Sequence, residues 1–387
     1  VAAERSRNIS IDVLRAAAIL AVVALHWVNA GLAAPASSAI GDAFVRVAGH
    51  GTYGVTLFFV LSGFLITRMT MQRESDLFAL SARDFYVRRI ARIQPLFIAV
   101  VALGLVMIWL AGAPGTPIFQ YTFREPDAVF GGEFFTSLFT FTYNWEMILH
   151  RNEFMFRGVH WDVMWSLAVE EQFYLAFPLL VLWARGRKRL YAALWSLVAV
   201  GIVARVVADI AHAGLLVKLF NSFACFDTLA LGVLCALLGD RLPHGRALSI
   251  AAIVTGALAI AIAFYHGGVV LLIVGALLFI HGSRYADIAA PWAAPLGRIG
   301  QLSYGLYLFH ATALYVAAPL VGRSGVIAGF VVVVGLAYLM AEIVYRLYEA
   351  PMNQWIRLRL LSALGRRSGS ATLRWEPLTN LTPPLVD

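Results

Sequence analysis

The stretch IDVLRAAAILAVVALHW, residues 11–27, decides what kind of chain this is. Every side chain from Ala16 to Leu25 is apolar, yet Asp12, Arg15 and His26 are ionisable. Read as a helix, Arg15 and His26 are about 1100° of rotation apart, three turns plus roughly 20°, so they lie on nearly one face. Their axial separation is about 16 Å. The run is long enough to span a bilayer, and an imidazole inside such a span is costly in hydrocarbon unless a function or a partner offsets it. A secretory leader is not expected, because charged groups sit within the segment and no small-residue cleavage site follows at the right distance.

Composition extends this reading outward. Of 387 residues, 60% are hydrophobic and only 13% charged, against about 25% charged in soluble proteins. Mean hydropathy is +0.77. The fold expected is an all-α, polytopic membrane helical bundle. Net charge is +8; spread along the chain, it points to basic loops on one side of a membrane rather than to nucleic acid. Lys188 and Lys218 are the only lysines. The arginine bias, with heavy Ala and Val usage, suggests a high-GC bacterial gene. Cys225 and Cys235 lie in an apolar segment, with neither a disulfide framework nor metal-ligand spacing.

Roughly ten spanning helices are expected: 10–31, 52–70, 93–112, 163–183, 190–211, 217–239, 247–265, 268–283, 301–320 and 326–348. Span 268–283 is short, and 134–149 is short enough for a re-entrant or interfacial helix. Charge tests the count. Arg5 and Arg7, the arginines between 68 and 92, the RGRKR run at 185–189, Arg241, Arg246, Arg284, Arg298 and the arginines from 357 to 367 all share one side if 134–149 does not cross. Both termini would then be cytoplasmic in a multi-pass cell-membrane protein. The expected organisation is one membrane domain, 1–360, and a disordered cytoplasmic tail, 361–387. No internal repeat is visible.

Polar groups inside these spans are the candidate site. Arg15 and His26 are first; the alternative is an interhelical histidine with a topology-anchoring arginine. In FYVRRIARIQP (85–95), Arg88, Arg89 and Arg92 share faces, and guanidinium forks suit phosphates; anchoring to lipid phosphate is equally open. In WSLAVEEQFY (165–174), Glu170 or Glu171 reads at the depth of His26, where a carboxylate would orient an imidazole; solvated acids at a helix start are the plain alternative. Ser303, Tyr307 and His310 fall at i, i+4, i+7 in LSYGLYLFH, either supporting the site or forming a polar seam. GVTLFFVLSGFL (54–65) reads as packing on the first helix and lining a substrate channel. Asp227 and Glu342 are buried acids without evident partners, and Arg205 is spaced to pair with Asp209.

Taken in order, these pieces resemble acyltransferase family three, multi-pass membrane O-acyltransferases. The resemblance rests on Arg15, ten residues and His26 preceded by Asp12, then GVTLFFVLSGFL, RRIAR, WSLAVEEQFY, LSYGLYLFH and the closing YEAP at 348–351. It covers residues 8 to 355. It implies transfer from acyl-CoA, acetyl-CoA by default and with no metal, to an acceptor hydroxyl. His26 would be catalytic with Arg15 its essential partner and Glu170, Glu171 or Asp12 positioning it. Arg88, Arg89 and Arg92 would hold the CoA phosphates, and Ser303, Tyr307 and His310 would support the site. The arm of CoA is expected along the first helix. General-base and acyl-histidine routes stay open. Relatives often carry an extra soluble esterase-like domain, so a second transfer step is not expected here. The arginine-rich composition tilts the acceptor toward a glycosylated macrolide antibiotic; O-acetylation of a cell-surface polysaccharide or lipopolysaccharide is the alternative. An ion-coupled transporter would also use buried His and Glu, though neither an inverted repeat nor paired broken helices are visible.

Overall fold

The computed structural model describes residues 8–31, 38–74, 76–111, 132–149, 163–288, 290–321 and 324–363. Within them the chain is helical. The order is α1 (Ile9–Asn29), α2 (Ala39–Gly49), α3 (Tyr53–Arg73), α4 (Ala82–Ala111), α5 (Gly132–Phe139), α6 (Tyr143–Leu149), α7 (Met164–Ala184), α8 (Arg187–Ile210) and α9 (Leu215–Phe220). Then come α10 (Ser222–Leu238), α11 (Arg246–His266), α12 (Val269–Ser283), α13 (Ala293–Gln301), α14 (Ser303–Val321), α15 (Val326–Val344), a π-turn (Tyr345–Glu349) and α16 (Ala350–Ala363). Among the described residues, nine helices are long and apolar enough to cross a membrane. The chain is a polytopic helical bundle. The tenth expected span is α12, with 15 residues, packed antiparallel on α11 so that Gly275 meets Gly256 and Gly282 meets Ser249.

Helix α1 is fastened at both ends. Asn8 caps it by accepting the Ile11 N–H at 3.0 Å. Asp287, from the loop after α12, accepts the Ile9 and Ser10 amides at 3.0 and 2.8 Å and the Ser10 hydroxyl at 2.5 Å. At the other end Trp27 is fully buried and donates its indole N–H to Val326 O at 2.7 Å. Between them, α3, α13 and α14 pack around the helix.

Small residues set how closely α3 approaches its neighbours. A Cβ on Gly54 would strike the Ala18 carbonyl of α1, whereas Gly63 faces Leu229 and Gly232 faces Val60 across the α3–α10 contact. The GVTLFFVLSGFL segment therefore packs on α1, with Leu57, Leu61 and Phe64 in one buried cluster with Ile11, Leu14 and Ala18, while its Gly63 belongs to α10.

Helices α4 and α7 run antiparallel, with Phe85 beside Phe177, Tyr86 bonding Leu175 O and Arg89 over Tyr174. The connection from α4 to α7 thus begins and ends on one face, and α5 and α6 add no crossing. Helix α6 lies against α7, and α5 against α6; Gln172 of α7 donates to Phe141 O, between the two short helices, and to Asn144 Oδ1 of α6 at 2.6 and 2.9 Å. Helix α4 starts at Ala82, eleven residues before the expected 93. It carries RRIAR inside the helix because those arginines point into a cavity rather than into a loop.

Two buried acids expected to lack partners have them. Asp227 accepts Arg205 Nε and Nη2 at 3.1 and 2.9 Å; the expected Arg205–Asp209 pair does not form, and Asp209 instead meets Lys218 at 2.6 Å. Helix spacing offered the local partner, but Arg205 faces α10. Glu342 takes a forked contact from Arg298 at 2.7 and 3.0 Å and a further one from Arg346 at 2.5 Å. Arg298, outside the spans, is held above its usual range by that carboxylate. Cys225 and Cys235 are buried free thiols. Arg5, Arg7, Arg366, Arg367 and nearly all of the expected tail lie outside the described residues.

Candidate active site

A cavity of about 290 Å³ lies between α1, α3, α4, α7, α14 and α16. Helix α3 supplies its long wall. Val55, Phe58, Phe59, Ser62, Ile66, Met69 and Arg73 line it at helical spacing, so the wall is about 27 Å long at 1.5 Å per residue. The first helix contributes Arg15 alone. The cavity thus follows α3 rather than the expected path along α1.

One end of the cavity is strongly basic. Arg15, Arg73, Arg88, Arg89, Arg92 and Arg357 line it together with Asn353. Arg73 is exposed and marks the rim. Most of these groups are fixed. Arg15 lies 3.8 Å from Asp12, Arg89 stacks at 4.3 Å over the Tyr174 ring, and Arg92 pairs at 2.8 Å with the buried Glu349 of the YEAP motif. Such a cluster in a membrane protein leaves net positive charge facing the cavity, which fits a polyanion and nothing cationic.

Glu170 sits among these arginines. It accepts the Ser62 hydroxyl at 2.7 Å and the Tyr174 hydroxyl at 3.3 Å. Glu171 is buried beside it, with one oxygen lacking a hydrogen-bond partner among the described residues. Neither acid bonds His26, nor does Asp12. The expected acid–imidazole pairing is therefore not present: the α7 face bearing Glu170 turns toward Ser62 of α3, and Glu170 balances the arginines instead.

The expected histidine lies beyond the other end of the cavity. His26 donates Nδ1–H to Val22 O at 2.8 Å, and His310 donates Nδ1–H to Tyr307 O at 2.6 Å. A carbonyl only accepts, so both protons sit on Nδ1 in the neutral rings, and the Nε2 lone pair of His26 is the basic one. The two rings are 4.9 Å apart. Tyr307 stands between them and the cavity, 5.7 Å from His310, with its hydroxyl donating to Val163 O at 2.9 Å and accepting from Ser166 at 2.6 Å. The structure thus brings Arg15, Arg88, Arg89, Arg92, Glu170, Ser303 and Tyr307 to one cavity and His26 with His310 to its end. Among the described residues no group of three or more His, Cys, Asp or Glu gathers as a metal site.

The model of the family described as "Acyltransferase domain", acyltransferase family three, matches residues 8–342. The chain belongs to that family. The Listeria monocytogenes peptidoglycan O-acetyltransferase OatA is 26% identical over 384 residues, covering 89% of this chain and 56% of its own length. Bacillus subtilis YrhL, provisionally named a peptidoglycan O-acetyltransferase, is 27% identical over 377 residues, covering 89% and 54%. A provisionally named O-acetyltransferase of Staphylococcus aureus strain COL is 24% identical, covering 95% and 58%. The chain spans just over half the length of these relatives. No solved structure matches it significantly.

Sequence reasoning missed Arg73, Tyr174, Glu349, Asn353 and Arg357. Arg73 was within reach, because it continues the α3 stripe of 62, 66 and 69. Arg357 and Asn353 were not, since the expected last span ended at 348 whereas the chain continues through the π-turn into α16.

Proposed function

We propose that this chain is an acyl-CoA-dependent O-acyltransferase of the cell membrane that places an acetyl group on a hydroxyl of a cell-envelope glycan. The observation that carries it is a cavity with a cluster of arginines at its open end and a tyrosine-capped histidine pair at the other. The arginines suit the phosphates of CoA, the α3 wall suits an extended arm, and the thioester would lie at the Tyr307 end. Family membership supports the reaction class. The named relatives support a glycan acceptor, which was the alternative in the sequence reading. The macrolide leaning drew on arginine-rich composition, which reflects nucleotide bias rather than any pocket.

In this mechanism His26 Nε2 takes the proton of the acceptor hydroxyl while that oxygen bonds the thioester carbonyl carbon. The C–S bond breaks, the thiolate leaves toward the arginines, and the His26 proton passes to sulfur. Nδ1, held by Val22 O, fixes the tautomer. Arg15 meets the donor at the open end, 16 Å or so from His26, and acts by placing it.

The test uses membranes bearing wild type or His26→Ala, radiolabelled acetyl-CoA, peptidoglycan fragments and a macrolide. Label should enter the glycan and fall about a hundredfold or more in the variant. Equal transfer by both would remove His26 from the chemistry, and label in the macrolide alone would overturn the acceptor.

A further inference from the structure

The end of the cavity holds a feature that the reaction scheme leaves unused. Phe58 of α3 packs edge-to-face on Tyr307 of α14, with ring centroids 6.2 Å apart. Both line the cavity, and neither His26 nor His310 does. Going outward from the cavity, the order is the Phe58–Tyr307 layer, then His310 at 5.7 Å from Tyr307, then His26 at 4.9 Å from His310. The layer stands on the ring-to-ring route from the cavity to His26, with Val55 and Phe59 lining the wall beside it.

The two rings are held differently. Tyr307 is pinned by Val163 O and Ser166. Phe58 has no polar anchor and is only half-buried. The neighbouring Phe59 is locked from the other side, meeting Trp165 at 6.1 Å, which stacks on Phe220 at 4.4 Å. The movable element of the layer is Phe58 alone, and behind it α3 cannot retreat because Gly63 and Gly232 already bring its backbone against α10. The opening available is what one phenyl ring gives by changing rotamer.

We propose that the Phe58–Tyr307 pair sets the size of the acyl group this protein transfers, admitting two carbons and rejecting longer chains. The inference rests on the acyl-CoA reading above. A methylene that an apolar site cannot accommodate costs about 10–200-fold in specificity. Butyryl, with two more methylenes than acetyl, should therefore be strongly disfavoured by the wild type.

The experiment offers purified protein in nanodiscs an equimolar mixture of acetyl-, propionyl- and butyryl-CoA with peptidoglycan fragments, and reads the ratio of acyl groups on the product by mass spectrometry. Phe58→Ala should raise the butyryl-to-acetyl ratio about tenfold or more. Phe58→Trp should lower acetyl transfer while CoA binding by calorimetry stays at the wild-type level, and this second variant keeps the test open if the first folds poorly. Leu57→Ala, fully buried on the same helix but outside the cavity lining, should keep the wild-type ratio. Acetyl transfer by all proteins with one unchanged ratio would overturn the proposal, as would an equal shift in Leu57→Ala, which would mean general loosening of α3. Wild type that transfers none of the three groups would instead overturn the acyl-CoA reading itself.

Discussion

Ser303 is a buried hydroxyl in the cavity wall without a hydrogen-bond partner among the described residues. Leaving such a group unmade costs about 1–3 kcal/mol, so its removal should not harm folding. Ser303→Ala is expected to melt at the wild-type temperature or above it, while KM for acetyl-CoA rises several-fold and kcat holds, because a polar group of the donor arm is its natural partner. A fall in melting temperature with unchanged KM would show that the hydroxyl serves packing only. Residues of this kind were partly legible. The i, i+4, i+7 face of Ser303, Tyr307 and His310 could be read from spacing, and so could Arg15 with its companions in RRIAR. The partner of Glu170 could not. Adjacent glutamates point about 100° apart on a helix, and which of those directions meets Ser62 depends on how α7 is rotated in the bundle.

At the scale of elements, the seat of α1 depends on a loop more than 270 positions away. Asp287 is pushed up by partial burial, but the Ser10 hydroxyl and the amides of Ser10, Ile9 and Ile288 pull it down further, so its carboxyl lies below the ordinary range. A depressed carboxyl stabilises the fold above its unfolded pKa of about 3.9, and that contribution is lost as pH falls through the lower, folded value. Asp287→Asn should melt lower than wild type at pH 7, and the gap should close below about pH 4. Melting curves in detergent from pH 7 to 3 would check this; a gap that persists in acid would mean that the carboxylate charge is not what holds the helix end. The long apolar helices themselves were plain in the sequence, since hydrophobic length is what a bilayer demands. Their ends were less so. Charged residues usually mark where a span stops, and α4 breaks that rule because its arginines face an internal cavity.

Across the whole molecule, the basic loops collect at one end. The start of α8, with Arg187, adjoins the end of α3, Arg284 meets Asp240, and Asn8 bonds Ser283 O. This is the face on which the cavity opens, and the positive-inside bias predicts that it faces the cytoplasm. The native thiols are buried, so single introduced cysteines report sidedness cleanly. Gly186→Cys, at a site with open space around it, should react with an impermeant maleimide only after cells are opened. Ile40→Cys, 73% exposed on the opposite face, should react in intact cells. The reverse pattern would invert the orientation.

The wall along α3 also determines where the bilayer insulates. Filled with water, a hollow that follows about 27 Å of helix would shorten the path across a hydrocarbon core of about 30 Å. The transmembrane voltage would then fall mainly across the ring layer and the two imidazoles, whose centroid steps are 5.7 and 4.9 Å, instead of the full thickness. Any charge carried between the thiolate side and the acceptor side works against nearly all of it, about 2.3 kcal/mol per elementary charge per 100 mV. A layer of two aromatic rings and two histidines would thus be the electrical seal of the membrane at this protein.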